Sequence, residues 1–394
     1  MKQASIKNAV IVGAVRTPIG SYRGSLSLLP ATKLGSLVIQ DLLNRTSVSK
    51  DEVDEVIMGN VLSAGLGQAP ARQAALGAGL PLTVGCTTVN KVCGSGLKAV
   101  MLASQAIQAG DAEVIVAGGM ESMTNAPYLV ERRRMSNAFN ADQCIDSMIK
   151  DGLWDTYNDI HMGTATELCA KKWDVSRAEQ DAFAIRSYQR AIAAQQRDDF
   201  RNEIVGVSLP EAGHSFEADE EPRKFDPEKL RKLKPAFAPD GTITAGNASA
   251  TSDGAAAVLV VEEKKASELG LEPMVRITGQ ATSAREPEWF SVAPVDAIRL
   301  LMRKTGRSLR AVDLFEINEA FAASSIAVQR ELDLDPETVN IRGGAVALGH
   351  PIGASGARLL TTLIHSLRDF DKSVGVASLC IGGGEAVSLM VERV

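Results

Sequence analysis

An internal repeat constrains the fold of this 394-residue chain more than any other sequence feature. Three motifs recur in the same order in both halves: residues 53–60 with 312–318, the turn at Cys93 with the turn at His350, and residues 114–119 with 376–383. Two α/β halves of common design would pack with their corresponding turns facing each other across a pseudo-twofold seam. Residues that are distant in sequence are therefore expected to share one site.

The segment between the halves, residues 120–248, differs in composition. It is more charged, with an acidic stretch at 217–221 before a basic cluster at 223–234, and we interpret it as an inserted domain. An arginine run at 132–134 is interpreted as a solvated or subunit-interface face. The predicted organisation is α/β, with an N-terminal half of residues 1–119 and 249–272, an inserted domain of residues 120–248, and a C-terminal half of residues 273–394.

Cys93 lies in the sequence NKVCGSGLK, residues 90–98, which has the features of a nucleophile turn. A β-rich approach leads to it, and Gly94 and Gly96 allow a sharp turn and a close backbone approach. Cys93 would lie at a helix N-terminus, where free N–H groups and the helix dipole should lower the thiol pKa below its ordinary value of about 8.5. On residue type alone, a buried and inert core cysteine is the alternative interpretation.

Two further glycine-rich turns near the C-terminus carry an imidazole and a second thiol. His350 is flanked by Gly349 and Pro351 at a predicted strand-to-helix junction. Cys380 ends an apolar, strand-like run, and the three glycines after it can turn backbone N–H groups towards an anion. Asn318 follows another strand-like run. Each residue alone could serve a purely structural purpose, but together they offer a base, a second acid or base, and an amide that orients a polar partner.

Composition and charge narrow the functional class. The chain is 45% hydrophobic and 23% charged, as in ordinary globular proteins, and its net charge of -6 argues against a nucleic-acid partner. Five irregularly spaced cysteines and four histidines fit neither a disulfide framework nor a zinc site. No leader, peroxisomal signal or apolar stretch of about 18 residues is apparent. We therefore expect a cytoplasmic enzyme of bacterial or archaeal type, with no membrane partner.

These motifs resemble those of the thiolase family, the acetyl-CoA acetyltransferases, over essentially the whole chain. The family's order and approximate spacing are matched by the turns at Cys93, His350 and Cys380, and by residues 16–20, 118–123, 161–163 and 246–249. The resemblance implies a thiolase fold with two repeated βαβαβαββ halves in a five-layered α-β-α-β-α architecture. It also implies a loop domain that covers coenzyme A, a homotetramer built as a dimer of dimers, and no tightly bound cofactor.

The family's chemistry is a reversible condensation of two acetyl-CoA molecules by ping-pong acyl transfer. It requires a soft nucleophile that is also a good leaving group, for which Cys93 with His350 as base is the candidate, and an acid or base at the α-carbon, for which we predict Cys380. The resemblance implies one oxyanion hole from His350 and a water held by Asn318, and another from the N–H groups of Cys93 and Gly382. The implied contacts with substrate or coenzyme A are His161, Met162, Arg223, Ser249, Phe290, Ala320 and Phe321.

Two positions depart from the commonest bacterial pattern. Phe290 replaces a Met-Gly pair and is similar to the mitochondrial thiolase that also accepts 2-methylacetoacetyl-CoA, so we expect a reshaped acyl pocket. That enzyme binds potassium, which makes this ion a candidate cofactor here; the corresponding positions are Tyr188, Ala245, Gly246, Ala248 and Val346.

Glu385 follows the Cys380 turn where small residues are usual, and nothing in the sequence accounts for it.

Other functions remain open on the sequence. A broader or long-chain 3-ketoacyl-CoA thiolase of fatty-acid β-oxidation is the nearest alternative, because pocket length depends on loop packing. A condensing enzyme acting on acyl-carrier protein shares the fold, but it pairs its cysteine with two histidines or a His-Asn set, and the sequence CIGGG at residues 380–384 argues against it. A non-catalytic lipid-binding relative would be expected to lack at least one of Cys93, His350 and Cys380, and all three are present.

Overall fold

The computed structural model describes residues 7–130, 144–209 and 214–394, so the arginine run at 132–134 lies outside the described residues. The strands are β1 (Ala9–Arg16), β2 (Gly20–Ser21), β3 (Glu55–Gly59), β4 (Gly85–Val89), β5 (Val114–Ser122), β6 (Tyr128–Val130), β7 (Cys144–Asp146), β8 (Trp154–Asp155), β9 (Ile160–His161), β10 (Val207–Leu209), β11 (His214–Phe216), β12 (Ser252–Glu262), β13 (Val275–Ala284), β14 (Leu314–Ile317), β15 (Val374–Ile381) and β16 (Glu385–Arg393). The α-helices are α1 (Ala31–Thr46), α2 (Pro70–Gly77), α3 (Ser95–Ala109), α4 (Met162–Lys172), α5 (Arg177–Gln196), α6 (Pro227–Arg231), α7 (Glu263–Glu268), α8 (Ala293–Thr305), α9 (Ala322–Leu332), α10 (Ala345–Leu348) and α11 (Ser355–Asp369). Short 3₁₀ helices cover Lys50–Glu52, Glu221–Lys224, Pro287–Val292, Leu309–Ala311 and Pro336–Thr338, and a π-helix covers Met148–Leu153.

Ten strands form one mixed sheet whose two halves share one pairing pattern, except that the N-terminal half has an additional edge strand, β4. Nine strands follow the order β14-β15-β16-β13-β1-β12-β5-β3-β4, and β2 pairs with β12. β3 is parallel to β4 and β5, as β14 is to β15, whereas β12 is antiparallel to β1 and β5, as β16 is to β13 and β15. The half-sheets meet at a short antiparallel pairing of β1 with β13. The predicted α/β fold with an internal repeat is confirmed.

Local details of the two halves also correspond. β1 and β13 each shift register beside a glycine, Gly13 or Gly279. A Cβ on these glycines would lie 2.5 and 2.4 Å from a threonine of the helix packed on that strand, α1 or α8. Asp54 accepts two backbone N–H groups at the start of β5, at 2.7 and 2.9 Å, and Asp313 does the same at the start of β15, at 3.0 and 2.8 Å. The repeat therefore extends to individual turns and packing contacts.

Alternating side chains of each strand enter two different layers. In β5, Val114 and Val116 join the apolar cluster of α1 and α2, whereas Ile115 and Ala117 join that of α3 and α11. The C-terminal half-sheet packs α8 and α9 on one face and α11 on the other. Because helices cover both faces of each half-sheet, the central strands β5, β12 and β15 are buried along their whole length, whereas β13 and the edge strand β4 are partly exposed. The order of layers is α-β-α-β-α, as expected, with α3 and α11 in the middle.

The two inner helices meet almost backbone to backbone. A Cβ on Gly96 of α3 would lie 2.9 Å from the Ala357 nitrogen of α11, and one on Gly356 of α11 would lie 2.4 Å from the Leu97 nitrogen of α3. Any side chain at these positions would separate the helices. Both glycines lie in the first turn of their helices, so this contact brings together the turns that precede them.

Buried charges attach the segment between β5 and β12 to the sheet. The Arg16 guanidinium in β1 has no exposed surface and contacts the carboxylates of Glu203 at 2.6 Å and Asp219 at 2.7 Å. Removing one charge from such a buried set typically costs about 3–5 kcal/mol. Among the helices described, none combines the length and hydrophobicity needed to span a bilayer.

We predict that Gly356→Ala destabilises the protein, because its methyl group would overlap the Leu97 backbone, which cannot move without displacing α3. Overpacking of this kind typically lowers the free energy of unfolding by roughly 1–3 kcal/mol. Urea denaturation measures this loss. The control is Gly85→Ala, where the nearest atom to a new Cβ lies at 3.8 Å. Equal stability of the two variants would contradict the role assigned to the α3–α11 contact.

Candidate active site

The corresponding turns of the two halves open onto one cavity of about 280 Å³. Its wall is mostly apolar, which is typical of small-molecule sites when a few polar groups converge on it. The predicted residues on this wall are Cys93, His161, Met162, Ala248, Ser249, Phe290, Ala320, Phe321, His350 and Gly382. Two other clefts, of about 240 and 470 Å³, are lined by neither cysteine nor histidine.

Cys93 projects from a strained turn between β4 and α3. Val92 has a φ of 45°, a left-handed conformation that β-branched residues rarely adopt. The Gly94 N–H donates to the Lys91 carbonyl at 3.0 Å, and the Lys91 N–H donates to Ser95 Oγ at 2.8 Å, which closes the turn. Backbone strain of this kind persists where surrounding contacts hold it, often at reactive residues.

The thiol of Cys93 is not the low-pKa group that the sequence predicts. Burial raises its pKa to about 11, while the N–H groups of Gly382 and of Cys93 itself act in the opposite direction. The expectation that the start of α3 lowers this pKa is therefore wrong, because desolvation outweighs the helix terminus. In the free site Cys93 is a neutral thiol that needs a base.

His350 is oriented as a base by the turn that leads into α11. Its Nδ1 lies 2.5 Å from Ser355 Oγ, which itself donates to the Pro351 carbonyl at 2.8 Å. Because Ser355 donates its hydroxyl proton to the Pro351 carbonyl, its Oγ accepts a hydrogen bond from His350. The ring proton of His350 is therefore on Nδ1, and Nε2 keeps its lone pair. Burial, with a smaller effect of the Arg358 guanidinium, lowers the pKa of His350 to about 3. The imidazole is neutral near pH 7 and accepts a proton at Nε2.

Asn318 follows β14 and stands beside the same imidazole. Its Nδ2 lies 3.3 Å from His350 Nε2. The side chain is buried, and its Oδ1 has no hydrogen-bond partner within the described residues. A buried amide oxygen of this kind normally bonds to ordered water or to a ligand. Asn318 is therefore placed to share a polar partner with His350.

Cys380 and Gly382 lie where β15 ends and its turn begins. Cys380 is 2% exposed and packs in an apolar cluster with Phe290 and Phe321. It is not among the residues that line the cavity. Burial raises its pKa, and the neighbouring Cys93 thiol acts in the same direction. Gly382 lines the cavity, and its N–H group acts on the Cys93 thiol, so the structure brings the two thiols together from opposite halves of the chain.

His161 forms part of the binding wall. Its Nδ1 accepts the Gly163 N–H at 3.0 Å, capping α4, and its ring stacks on Phe237 with centroids 4.8 Å apart. A Cβ on Gly163 would lie 2.4 Å from the Phe237 ring, so this position requires glycine. Burial lowers the pKa of His161, which keeps the ring neutral. These contacts hold the imidazole ring of His161 in one orientation against the cavity.

Sequence reasoning missed several wall residues. Phe237 meets Phe321 edge-on with ring centroids 6.2 Å apart. The other unpredicted lining residues are Met123, Met148, Ile149, Gly152, Leu153, Ala250, Thr251 and Ile352. Met123 and Ile352 lie inside or next to predicted motifs and could have been found. Phe237 and residues 148–153 lie between β5 and β12, and no local sequence signal indicates that this part of the chain reaches the site.

A buried carboxylate, Glu121, ties the His350 turn to the N-terminal half. It accepts the N–H groups of Val61 at 3.1 Å, Leu62 at 3.2 Å and Gly353 at 2.8 Å. Burial raises its pKa to about 7, and these backbone donors act in the opposite direction. Because Gly353 lies three residues after His350, Glu121 fixes the turn that carries the base. The motif at 118–123 contains this residue, but its role was not predicted.

Arg223 is the predicted contact residue that lies outside the cavity. It is exposed on the 3₁₀ helix Glu221–Lys224, whereas the other six predicted substrate contacts line the wall. Arg223 is therefore on the protein surface, in the part of the chain between β5 and β12. Its role as a nucleotide contact stays a prediction.

The potassium candidates form a looser group. Tyr188 stacks on Phe225 with centroids 4.7 Å apart, and both pack against the cluster that contains Val346. Burial raises the pKa of Tyr188, so its hydroxyl stays protonated and is available as a neutral oxygen ligand. Of the other candidates, Gly246 packs against Leu230 of the same cluster, Ala245 is exposed, and Ala248 lines the active-site cavity. Tyr188, Gly246 and Val346 therefore lie around one cluster, and potassium binding stays a prediction.

Known proteins match this chain over nearly its whole length. The thiolase N-terminal domain model matches residues 9–264, and the thiolase C-terminal domain model matches residues 271–393. An acetyl-CoA acetyltransferase of Pseudomonas aeruginosa is 52% identical over 392 residues, covering 98% of this chain and 100% of its own length. Acetyl-CoA acetyltransferase 2 of Arabidopsis thaliana is 51% identical over 391 residues, covering 98% and 97%.

Solved structures share the fold. The Acat5 thiolase of Ascaris suum, in complex with coenzyme A, matches with a TM-score of 0.94 at 42% identity, covering 98% of this chain and 100% of that chain. The acetyl-CoA acetyltransferase of Bacillus anthracis matches with a TM-score of 0.96 at 41% identity, covering 99% of each. With both thiolase domain models matched on a mirrored pair of half-sheets, the chain belongs to the thiolase family.

Proposed function

We propose that this protein is an acetyl-CoA acetyltransferase, which condenses two acetyl-CoA molecules to acetoacetyl-CoA and coenzyme A, and which runs the reverse thiolysis. The observation that carries the proposal is that Cys93 and His350 line one apolar cavity and that the Cys380 thiol is buried next to Cys93. The names of the relatives and the coenzyme A bound by the Ascaris thiolase support it.

In the first half-reaction, Cys93 takes the acetyl group. Its thiol passes a proton to Nε2 of His350 while the sulfur attacks the thioester carbonyl, and coenzyme A leaves with that proton. The N–H groups of Cys93 and Gly382 receive the oxyanion, and the loss of one such donor typically costs about 100-fold to 1000-fold in rate. Acetyl-Cys93 is the intermediate.

In the second half-reaction, a carbon–carbon bond forms. Cys380 first gives its own proton to His350 and then takes a proton from the α-carbon of a second acetyl-CoA. The resulting enolate attacks the carbonyl of acetyl-Cys93, and Cys93 leaves and recovers a proton from His350. The raised pKa of Cys380 makes its thiolate a strong base, which suits a weakly acidic carbon. His350 and a water bound by Asn318 stabilise the enolate oxygen.

Cys93→Ala should abolish acetylation by acetyl-CoA, because it removes the attacking sulfur. Mass spectrometry of the intact protein and of its peptides measures this. Cys144→Ala is the matched control, since Cys144 is exposed and does not line the cavity. Acetylation of Cys93→Ala at the normal rate would contradict the proposed mechanism.

The acetylation rate should be insensitive to pH from about 5 to about 9. The pKa of His350 is about 3 and that of Cys93 about 11, so both groups keep their neutral, reactive forms between these limits. A histidine with an ordinary pKa of about 6.5 would instead lose its base form below that pH. Single-turnover acetylation measures the profile, and a fall in rate centred near pH 6.5 would show that His350 is not held neutral.

Short acyl groups should be preferred. Phe290, 3% exposed, lines the cavity of about 280 Å³ and packs in one cluster with Cys380, so its ring takes up space where a longer acyl group would extend. For thiolysis we expect kcat/KM to fall by at least about 10-fold from acetoacetyl-CoA to six-carbon and longer substrates. Phe290→Met should selectively reduce activity on 2-methylacetoacetyl-CoA. Equal or higher activity on long chains would favour the β-oxidation alternative.

Coenzyme A contacts, potassium and assembly complete the proposal. Residues 120–248 would cover coenzyme A, with Arg223 at its nucleotide. Arg223→Ala should then raise KM for coenzyme A but not for a pantetheine thiol.

Potassium, held by Tyr188 and the Val346 carbonyl, would supply positive charge near the site. Replacing potassium with sodium should then lower the melting temperature. We propose a homotetramer in the cytoplasm, and the edge strand β4 offers one surface that a second copy would cover. A monomer by light scattering would contradict this.

A further inference from the structure

An ion pair joins the two turns that carry Cys93 and Gly382. The Lys91 ammonium contacts the Glu385 carboxylate, although the two residues are 294 positions apart in sequence. Lys91 precedes Cys93 by two residues, and Glu385 follows Gly382 by three. Neither charged residue lines the cavity, and their side chains are 22% and 37% exposed. The ion pair therefore lies outside the cavity, beside the turns that carry Cys93 and Gly382.

Each residue of the pair belongs to well-fixed backbone. The Lys91 N–H donates to Ser95 Oγ at 2.8 Å, in the first turn of α3. Glu385 begins β16 and is paired with Ile381 of β15 on one side and with Ala284 of β13 on the other. The ion pair thus connects two anchored points, one in each half of the molecule.

The turns next to Lys91 and Glu385 contain residues with positive φ angles. Val92 has a φ of 45°, and residues 383–384 have φ values of 90° and 87°. A Cβ on Gly94 would lie 2.4 Å from the Ile381 side chain, so the turns touch closely at one point. At Gly382 itself, a Cβ would lie 3.7 Å from the Val92 side chain, which is an ordinary contact. The nearest atom to that Cβ is Met162 Sδ at 3.5 Å, so the Gly382 side of the contact is less closely packed than the Gly94 side.

We propose that Lys91 and Glu385 are positioning residues that set the separation of the Cys93 and Gly382 N–H groups. The inference rests on the proposed function, in which these two groups receive the oxyanion. Exposed ion pairs contribute only about 0–1 kcal/mol to stability, so the expected role is local geometry. Because a displacement of about 1 Å at a catalytic contact can cost about 100-fold, we expect a partial displacement to cost about 10-fold in kcat.

The test compares Glu385→Gln, Lys91→Met and the charge exchange of Lys91→Glu with Glu385→Lys. Thiolysis of acetoacetyl-CoA should show a kcat about 10-fold lower in both single variants, with KM changed less than about 2-fold, and recovery of most of kcat in the charge exchange. The matched control is Glu392→Gln, which breaks a similarly exposed pair with Arg307, 2.6 Å long, at the other end of β16. It should retain the full kcat.

Two further readouts distinguish a positioning role from a direct effect of charge on the Cys93 thiol. If the pair acted by charge, Lys91→Met and Glu385→Gln would shift the pH profile of Cys93 alkylation by iodoacetamide in opposite directions; we expect no shift. Amide hydrogen exchange at residues 91–94 and 382–384 should be faster in both variants than in Glu392→Gln. This readout needs no activity, so it is independent of the proposed function. Opposite pH shifts, or unchanged exchange, would overturn the inference.

Discussion

The near contact of α3 and α11 at Gly96 and Gly356 determines both the core and the site. A Cβ there would lie 2.9 or 2.4 Å from the backbone of the other helix, so the two helices can cross only without side chains between them. Since each helix also packs on its own half-sheet, this contact fixes how the halves are placed. It also holds the turns in front of the helices against each other, and those turns carry Cys93 and His350.

Shielding from water follows from the same packing and controls the chemistry. Desolvation lowers the pKa of His350 and raises that of both thiols, so the site starts without charge. The two cysteines then differ in what surrounds them. Cys93 faces the cavity with two N–H groups near its sulfur, which suits a nucleophile, whereas Cys380 is 2% exposed in an apolar cluster, which suits a strong base. One residue type therefore supplies two roles.

The sequence predicted the features that repeat or that form short motifs. The two halves, the inner turns and the grouping of Cys93, His350 and Cys380 followed from the order of glycine-rich segments. The pKa of Cys93 could not be predicted, because it depends on how much protein surrounds the thiol. The stacking of Phe237 on His161, and the pairing of Lys91 with Glu385, depend on residues far apart in sequence that no periodic pattern relates. The sequence marks Glu385 as unusual for the family, but its partner Lys91 lies 294 residues away and has no sequence signal.

The division of labour between the two thiols is the central claim, and α-proton exchange tests it most directly. Cys380→Ala is incubated with acetyl-CoA in deuterium oxide, and acetylation of Cys93 and deuterium entering the acetyl group are followed together by mass spectrometry. In Cys380→Ala we predict that the acetylation rate stays within about 10-fold of the wild-type rate. Deuterium should enter the acetyl group at least about 100-fold more slowly than in the wild type, because only the α-carbon step loses its base. Deuterium entry at the unmodified rate would contradict the assignment of Cys380.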